Sequence, residues 1–204
     1  AHTHWITAHE IGHEYWGFNY VLEPLDYPTW FGIGMGICTD RLYSISRNLD
    51  KDYKDFLKSY PEGVSKGYNT TIMQTQDTLW KQDFPWVNVI EHSKSYSVLR
   101  MLAYEIGEDT FFEIFKYCLN NYKGVNVTPE IFKKDCERIS KRNLDDFFHT
   151  WLYTNDYLEY KIMNVVSEKK DNIFFTEITI SRTGKATISN VELSVLLESG
   201  EVIH

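Results

Sequence analysis

The sequence predicts a mainly α-helical chain that closes in a short antiparallel β segment. Three observations carry this reading. Val98, Leu99, Met101, Leu102 and Ile106 follow the three- and four-residue spacing of a buried helix face. Helix-start signals recur at Thr110-Phe111-Phe112-Glu113, at Thr128-Pro129-Glu130 and at Asn143. Strand-like alternation begins only after Asn155. The boundary therefore falls at about residue 154, with 1–154 helical and 155–204 the start of a β domain. Three or four strands are few for a closed sandwich, so the β part reads as a beginning.

Composition bounds the function. The 204 residues are 43% hydrophobic and 16% aromatic, enough to bury a core of ordinary size and too aromatic for disorder. The formal net charge of −8 comes without a basic run, which argues against a binder of nucleic-acid backbones. No apolar run approaches the roughly 18 residues that cross a bilayer. Cys38, Cys118 and Cys136 are far apart and odd in number, so they read as buried free thiols.

In chain order, a first helix spans about residues 3–17, with Gly17 as its stop. Residues 18–28, with Pro24 and Pro28, form a connection that is not helical throughout. A second helix runs from an N-cap at Thr29 to about Leu49, with Gly32, Gly34 and Gly36 letting another backbone or a ligand approach. Asp50 to Tyr60 is a short amphipathic helix that Pro61 closes, and 62–88 suits loops that face a substrate or simply pack. A helix from about Val89 ends at Gly107. The capping box at Thr110 opens the next, with Phe111, Ile114, Phe115 and Cys118 inward, and the last carries Leu144, Phe147, Phe148 and Trp151. Strands follow at 157–166, 173–181 and 191–197, parted by Lys169-Lys170-Asp171-Asn172 and Thr183-Gly184-Lys185.

The chemistry sits near the start, in His9-Glu10-Ile11-Gly12-His13. Residues four apart share a helix face, so His9 and His13 can hold one Zn²⁺ between them. Glu10, beside the first histidine, can take a proton from a water on that metal. Glu14 is expected to be solvated. The motif opens about two helical turns into the chain, which leads us to expect an excised segment whose substrate-binding lobe lies upstream.

With Tyr15-Trp16-Gly17 after the motif, residues 1 to about 155 resemble the helical half of the catalytic domain of the aminopeptidase N family of zinc peptidases, a thermolysin-like (gluzincin) fold. The stretch from Lys94 to Tyr153 resembles that family's closing helices, and the strands after 155 its small β-sandwich domain. The resemblance implies zinc as cofactor, peptides as substrates and an upstream lobe as partner. It also implies a Trp-x-x-Glu-Gly segment whose Glu is the third zinc ligand, an acid seven positions on that supports a ligating histidine, and a Tyr-x-Lys-Gly segment whose Tyr stabilises the tetrahedral intermediate.

Two departures follow. Trp30-Phe31-Gly32-Ile33-Gly34 falls on Trp-x-x-Glu-Gly, so Ile33 stands where the third ligand belongs, with Asp40 at the supporting acid; a strict count of the family's spacing lands one position earlier, on Gly32. His92-Ser93-Lys94-Ser95 falls on Tyr-x-Lys-Gly, which makes His92 the residue at the oxyanion donor's place. Glu23 or Asp26, in the connection, are the carboxylates best placed to replace the missing ligand. The expected activity is peptide hydrolysis by a Glu10-activated water on zinc, with peptide or protein binding by a catalytically degenerate relative as the other reading.

Overall fold

The computed structural model describes residues 2–24, 30–48, 51–82, 87–171, 173–188 and 191–203, and within these not the side chains of 2–5, 51–56 and 76. The chain is mainly α with a β segment at its end, and it forms two units, Ala1–Asp156 and Tyr157–His204. The sequence-expected sites Asp26, Pro28 and Thr29, and the side chain of Trp5, lie outside the described residues, as do Leu49, Asp50 and Asn172.

In the first unit, α1 spans His2–Tyr15. It stops where Gly17 turns to a φ of 94°, a conformation that a side chain resists. Trp16–Gly17 (β1), Val21–Leu22 (β2) and Val125–Asn126 (β3) pair in parallel, in the order β1-β2-β3. α2, Trp30–Ser46, is buried from Trp30 to Cys38 and packs against α1, β1 and the helices near residue 95. Its aromatic end is held edge to face: Phe31 lies 5.0 Å from Phe132 and 5.9 Å from Trp16 between ring centroids.

The alternate glycines of α2 are contact points between backbones. A Cβ on Gly12 would stand 3.2 Å from the Cα of Gly36, one on Gly32 2.8 Å from the Cα of Gly17, and one on Gly34 3.2 Å from the carbonyl oxygen of Ser95. Glycine at these positions lets α1, β1 and the Ser95 helix close on α2 without a side chain between them.

α3, Lys51–Ser65, differs from expectation by running through Pro61. Proline removes the bond to the carbonyl of Leu57, but Leu57 is exposed, so water can serve that carbonyl. Beyond the proline the next turn is held by packing, because Gly63 lies against Val89. α4 is the short Gln76–Trp80, capped by Thr75. A π-helical turn, Asn88–Lys94, leads directly into α5, Ser95–Ile106, which ends at Gly107 with φ 89°. α6, Glu108–Asn121, starts two residues before the expected capping box, so Thr110 is inside the helix and Gly107 is its N-cap. The inward residues Phe111, Ile114, Phe115 and Cys118 are buried as expected. α7, Pro129–Ser140, begins as read: the Thr128 hydroxyl accepts from the Ile131 amide at 3.3 Å. α8, Asp145–Phe148, continues as a π-helical turn, His149–Tyr153. The three cysteines are free and buried.

The second unit holds a hairpin of β4, Tyr160–Lys170, and β5, Ile173–Arg182, antiparallel with a bulge between Ile162 and Asn164. Lys169 and Lys170 belong to the strand, and the turn begins at Asp171, whose φ is 46°. The expected strand at 191–197 shrinks to β6, Val195–Leu196, paired with β7, Val202–Ile203.

Loop 66–75 is tied to the helices beneath it. The amide of Met73 donates to the carbonyl of Leu152 at 2.8 Å, and the fully buried Lys94 donates to the carbonyl of Thr70 at 2.6 Å and to Asn69 Oδ1 at 3.3 Å. Burial pushes the Lys94 amine down to about 8, with the charge of Asp156 opposing. Above that value the unfolded chain still holds the proton that the folded chain has released, so stability rises with pH from about 8 to about 10.4 and is lost as pH falls back through the window. In thermal melts, wild type should therefore gain on Lys94→Met across that window, by on the order of 2–3 kcal/mol at its upper end. Parallel curves for the two proteins would refute this.

Candidate metal centre

The helical spacing of α1 puts His9 and His13 side by side, ring centroids 4.5 Å apart and the two Nε2 atoms 3.1 Å apart. His9 is 7% exposed, and its Nδ1 donates to Asp40 Oδ2 at 3.0 Å; Asp40 is 1% exposed on α2. This bond determines the tautomers. With its proton on Nδ1, a neutral His9 presents a lone pair at Nε2, and His13 Nε2–H donates to it. His13 Nδ1 is then left buried without a partner. Burial, followed by the charge of His9, lowers the His13 pKa, against the pull of Glu10. Burial raises the Asp40 pKa, and its bond to His9 opposes that. Glu10 is exposed beside the pair, and Glu14, also exposed, accepts from Asn19 Nδ2 at 2.5 Å.

The register on α2 follows from its contacts. Gly36 lies against the His13 ring and Asp40 against His9. Ile33, 36 and 40 share a helix face by their spacing, so Ile33, 7% exposed, occupies the stripe that faces α1. Gly32 does not: a Cβ there would meet Gly17, Glu23 and the carbonyl of Trp16. Of the two positions, 33 is therefore the one on this face, and its side chain has no atom that could bind a metal.

Glu23 does not replace it. Both its oxygens are committed to the start of α2, Oε1 accepting from the Phe31 amide at 3.0 Å and Oε2 from the Gly32 amide at 2.8 Å. A carboxylate there satisfies two unbonded amides and lies at the positive end of the helix dipole. Burial pushes its pKa up to about 8 while the two amide bonds pull it down. Sequence reasoning missed this cap because Glu23 is seven residues before Trp30, outside any local capping pattern. It also missed Glu91, buried and accepting from Trp80 Nε1 at 3.3 Å.

His92 lies in the π-helical turn, its ring stacked on His9 with centroids 5.9 Å apart and planes at 29°. Its Nδ1 is buried without a partner. Burial, then the charges of His9 and His13, hold its pKa down to about 4. The structure thus brings His9, His13, Asp40 and His92 together, with Glu10 at the solvent side and Ile33 on the facing stripe.

Against zinc, the pair fits. Two Zn–N bonds of standard length at the tetrahedral angle separate the nitrogens by about 3.3 Å, close to the 3.1 Å found. The held Nδ1 of His9 is the outer-sphere bond that orients a ligating imidazole. Among the described residues, however, no group of three His, Cys, Asp or Glu side chains is gathered as a ready ligand set. No helix among them is long and apolar enough to cross a membrane. No family model and no curated protein matches the chain.

The tautomers are directly measurable. Long-range ¹H–¹⁵N correlation spectra of metal-free protein should place the His9 proton on Nδ1 and the His13 proton on Nε2, and Asp40→Ala should release His9 to a mixture. A His9 proton on Nε2 in the wild type would contradict the assignment.

Proposed function

We propose that this chain carries the metal-binding helices of a zinc-dependent peptidase of the aminopeptidase type, which hydrolyses peptide bonds with a water that Glu10 deprotonates. The observation that supports it most is the facing pair His9 and His13, with Asp40 bonded behind His9. Nε2 of each would hold the ion. Zinc, when bound, lowers the pKa of a water and polarises a carbonyl. Asp40 keeps the His9 proton on Nδ1, so that the lone pair on Nε2, which His13 meets in the metal-free chain, is the one an ion would take. Glu10, exposed and next in sequence to His9, is placed to accept a proton and pass it to a leaving amine. The apolar side chain of Ile33 favours a second reading, peptide binding without hydrolysis, because two imidazoles alone hold zinc weakly.

Two measurements separate these readings. After dialysis against zinc, the chain should retain metal with modest affinity, and less than about a tenth of an equivalent would count against the pair as a site. With zinc present, hydrolysis of amino-acid nitroanilides should disappear in Glu10→Gln while metal content stays; equal wild-type and variant rates, or none in either, would leave binding as the function. In the same assay, Ile33→Glu places a carboxylate on the stripe facing His13 and should tighten zinc binding at least about tenfold, as a gained ligand should match or exceed the effect of an outer partner. Unchanged affinity would mean that residue 33 does not face the pair.

A further inference from the structure

We propose that His92 is the third protein ligand, completing a His9–His13–His92 centre in which an imidazole stands in for the carboxylate that position 33 lacks. The inference rests on the metal reading above and deepens it. Among the described side chains the other candidates are committed or unsuited: Ile33 has no donor atom, Glu23 serves the α2 amides, Asp40 serves His9 and Glu91 accepts from Trp80. His92 is the neighbouring group with a nitrogen to give, since its Nδ1 is buried with no hydrogen-bond partner. A buried polar atom left alone in a folded protein calls for a missing partner, and an ion is one that an imidazole nitrogen accepts.

The distance to His9 suits the role. Rings bonded through nitrogen to one tetrahedral zinc have centroids about 5 Å apart and cannot exceed about 6.5 Å. His92 is 5.9 Å from His9 as it stands. Rotation about its Cβ–Cγ bond turns the nitrogens while the ring centre barely moves, so a nitrogen of His92 can be turned toward an ion on His9 without changing that separation. The backbone around it is already unusual. Asn88–Lys94 is π-helical, a form frequent at functional sites, and the hydroxyl of Ser95, just after it, donates back to the Ile90 carbonyl at 3.1 Å.

Three neutral imidazoles leave the full double charge of the ion in the site and one coordination position open. His92 then acts as a ligand, and the oxyanion-donor role implied by its register with Tyr-x-Lys-Gly falls away.

The test uses the whole chain, metal-free and then loaded with zinc or cobalt(II) alone. X-ray absorption of the zinc form should count three imidazoles, and the cobalt form should show the intense visible bands of a four-coordinate ion. His92→Ala should weaken zinc binding more than about 100-fold, beyond what the loss of an outer hydrogen-bond partner costs. His92→Asp, which keeps a ligating atom, should recover part of it. Melting of the metal-free variants checks their folding, and the absorption count on wild type decides the matter if they do not fold. Two imidazoles in wild type, or wild-type affinity in folded His92→Ala, overturns the third ligand and leaves the pair standing. A wild-type chain that binds no zinc overturns both.

Discussion

The hydrogen bond from His9 to Asp40 is the constraint on which the rest of the site depends. It joins two helices across a buried seam, and it exists only because α1 and α2 approach within backbone contact at Gly12 and Gly36. A side chain at Gly12 would press on the facing backbone of Gly36 and work against the approach that lets Asp40 reach the imidazole. That one bond sets the His9 tautomer, which in turn sets what His13 does with its proton. The alternate glycines of α2 thus act on the chemistry through distance, although none of them carries a functional group.

Much of this was legible in the sequence. The spacing of His9 and His13 determines their shared face, and Thr128-Pro129 states its own helix start, because both depend on local geometry alone. The resemblance implied an acid at Asp40 beside a histidine, and the structure has Asp40 bonded to His9. What could not be read depends on contacts distant in sequence. Pro61 marks a stop by local rules, but the α3 turn beyond it is held by Val89 packed on Gly63. Thr110 to Glu113 has the pattern of a capping box, yet the helix begins earlier, at Glu108. Glu23 carries no local sign that it reaches the amides of Phe31 and Gly32, so as a sequence feature it remained a spare carboxylate.

The site gathers ionisable groups that burial holds toward their neutral forms. The pKa values of Asp40, Glu23 and Glu91 are raised, and those of His13 and His92 are lowered. Carboxylates and imidazoles are thereby pushed in opposite directions by the same cause, loss of water. Neutral imidazoles are the form that binds a cation, so the burial that disfavours free charge here also keeps His13 and His92 in that form.

The π-helical turn at Asn88–Lys94 has a consequence in terms of chain length. Each residue advances an α-helix by about 100° around its axis, and a π turn accommodates one residue more than an α turn does. Loss of a single residue between Asn88 and Glu91 would let the segment relax to α geometry with its flanks still nearly in phase, and would remove the widened turn on which the ring at 92 stands. The composition of the helix would hardly change, and its buried face would still read as apolar. Where the ring at 92 stands therefore depends on the number of residues before it as well as on their kinds, and substitution tables would not record the difference.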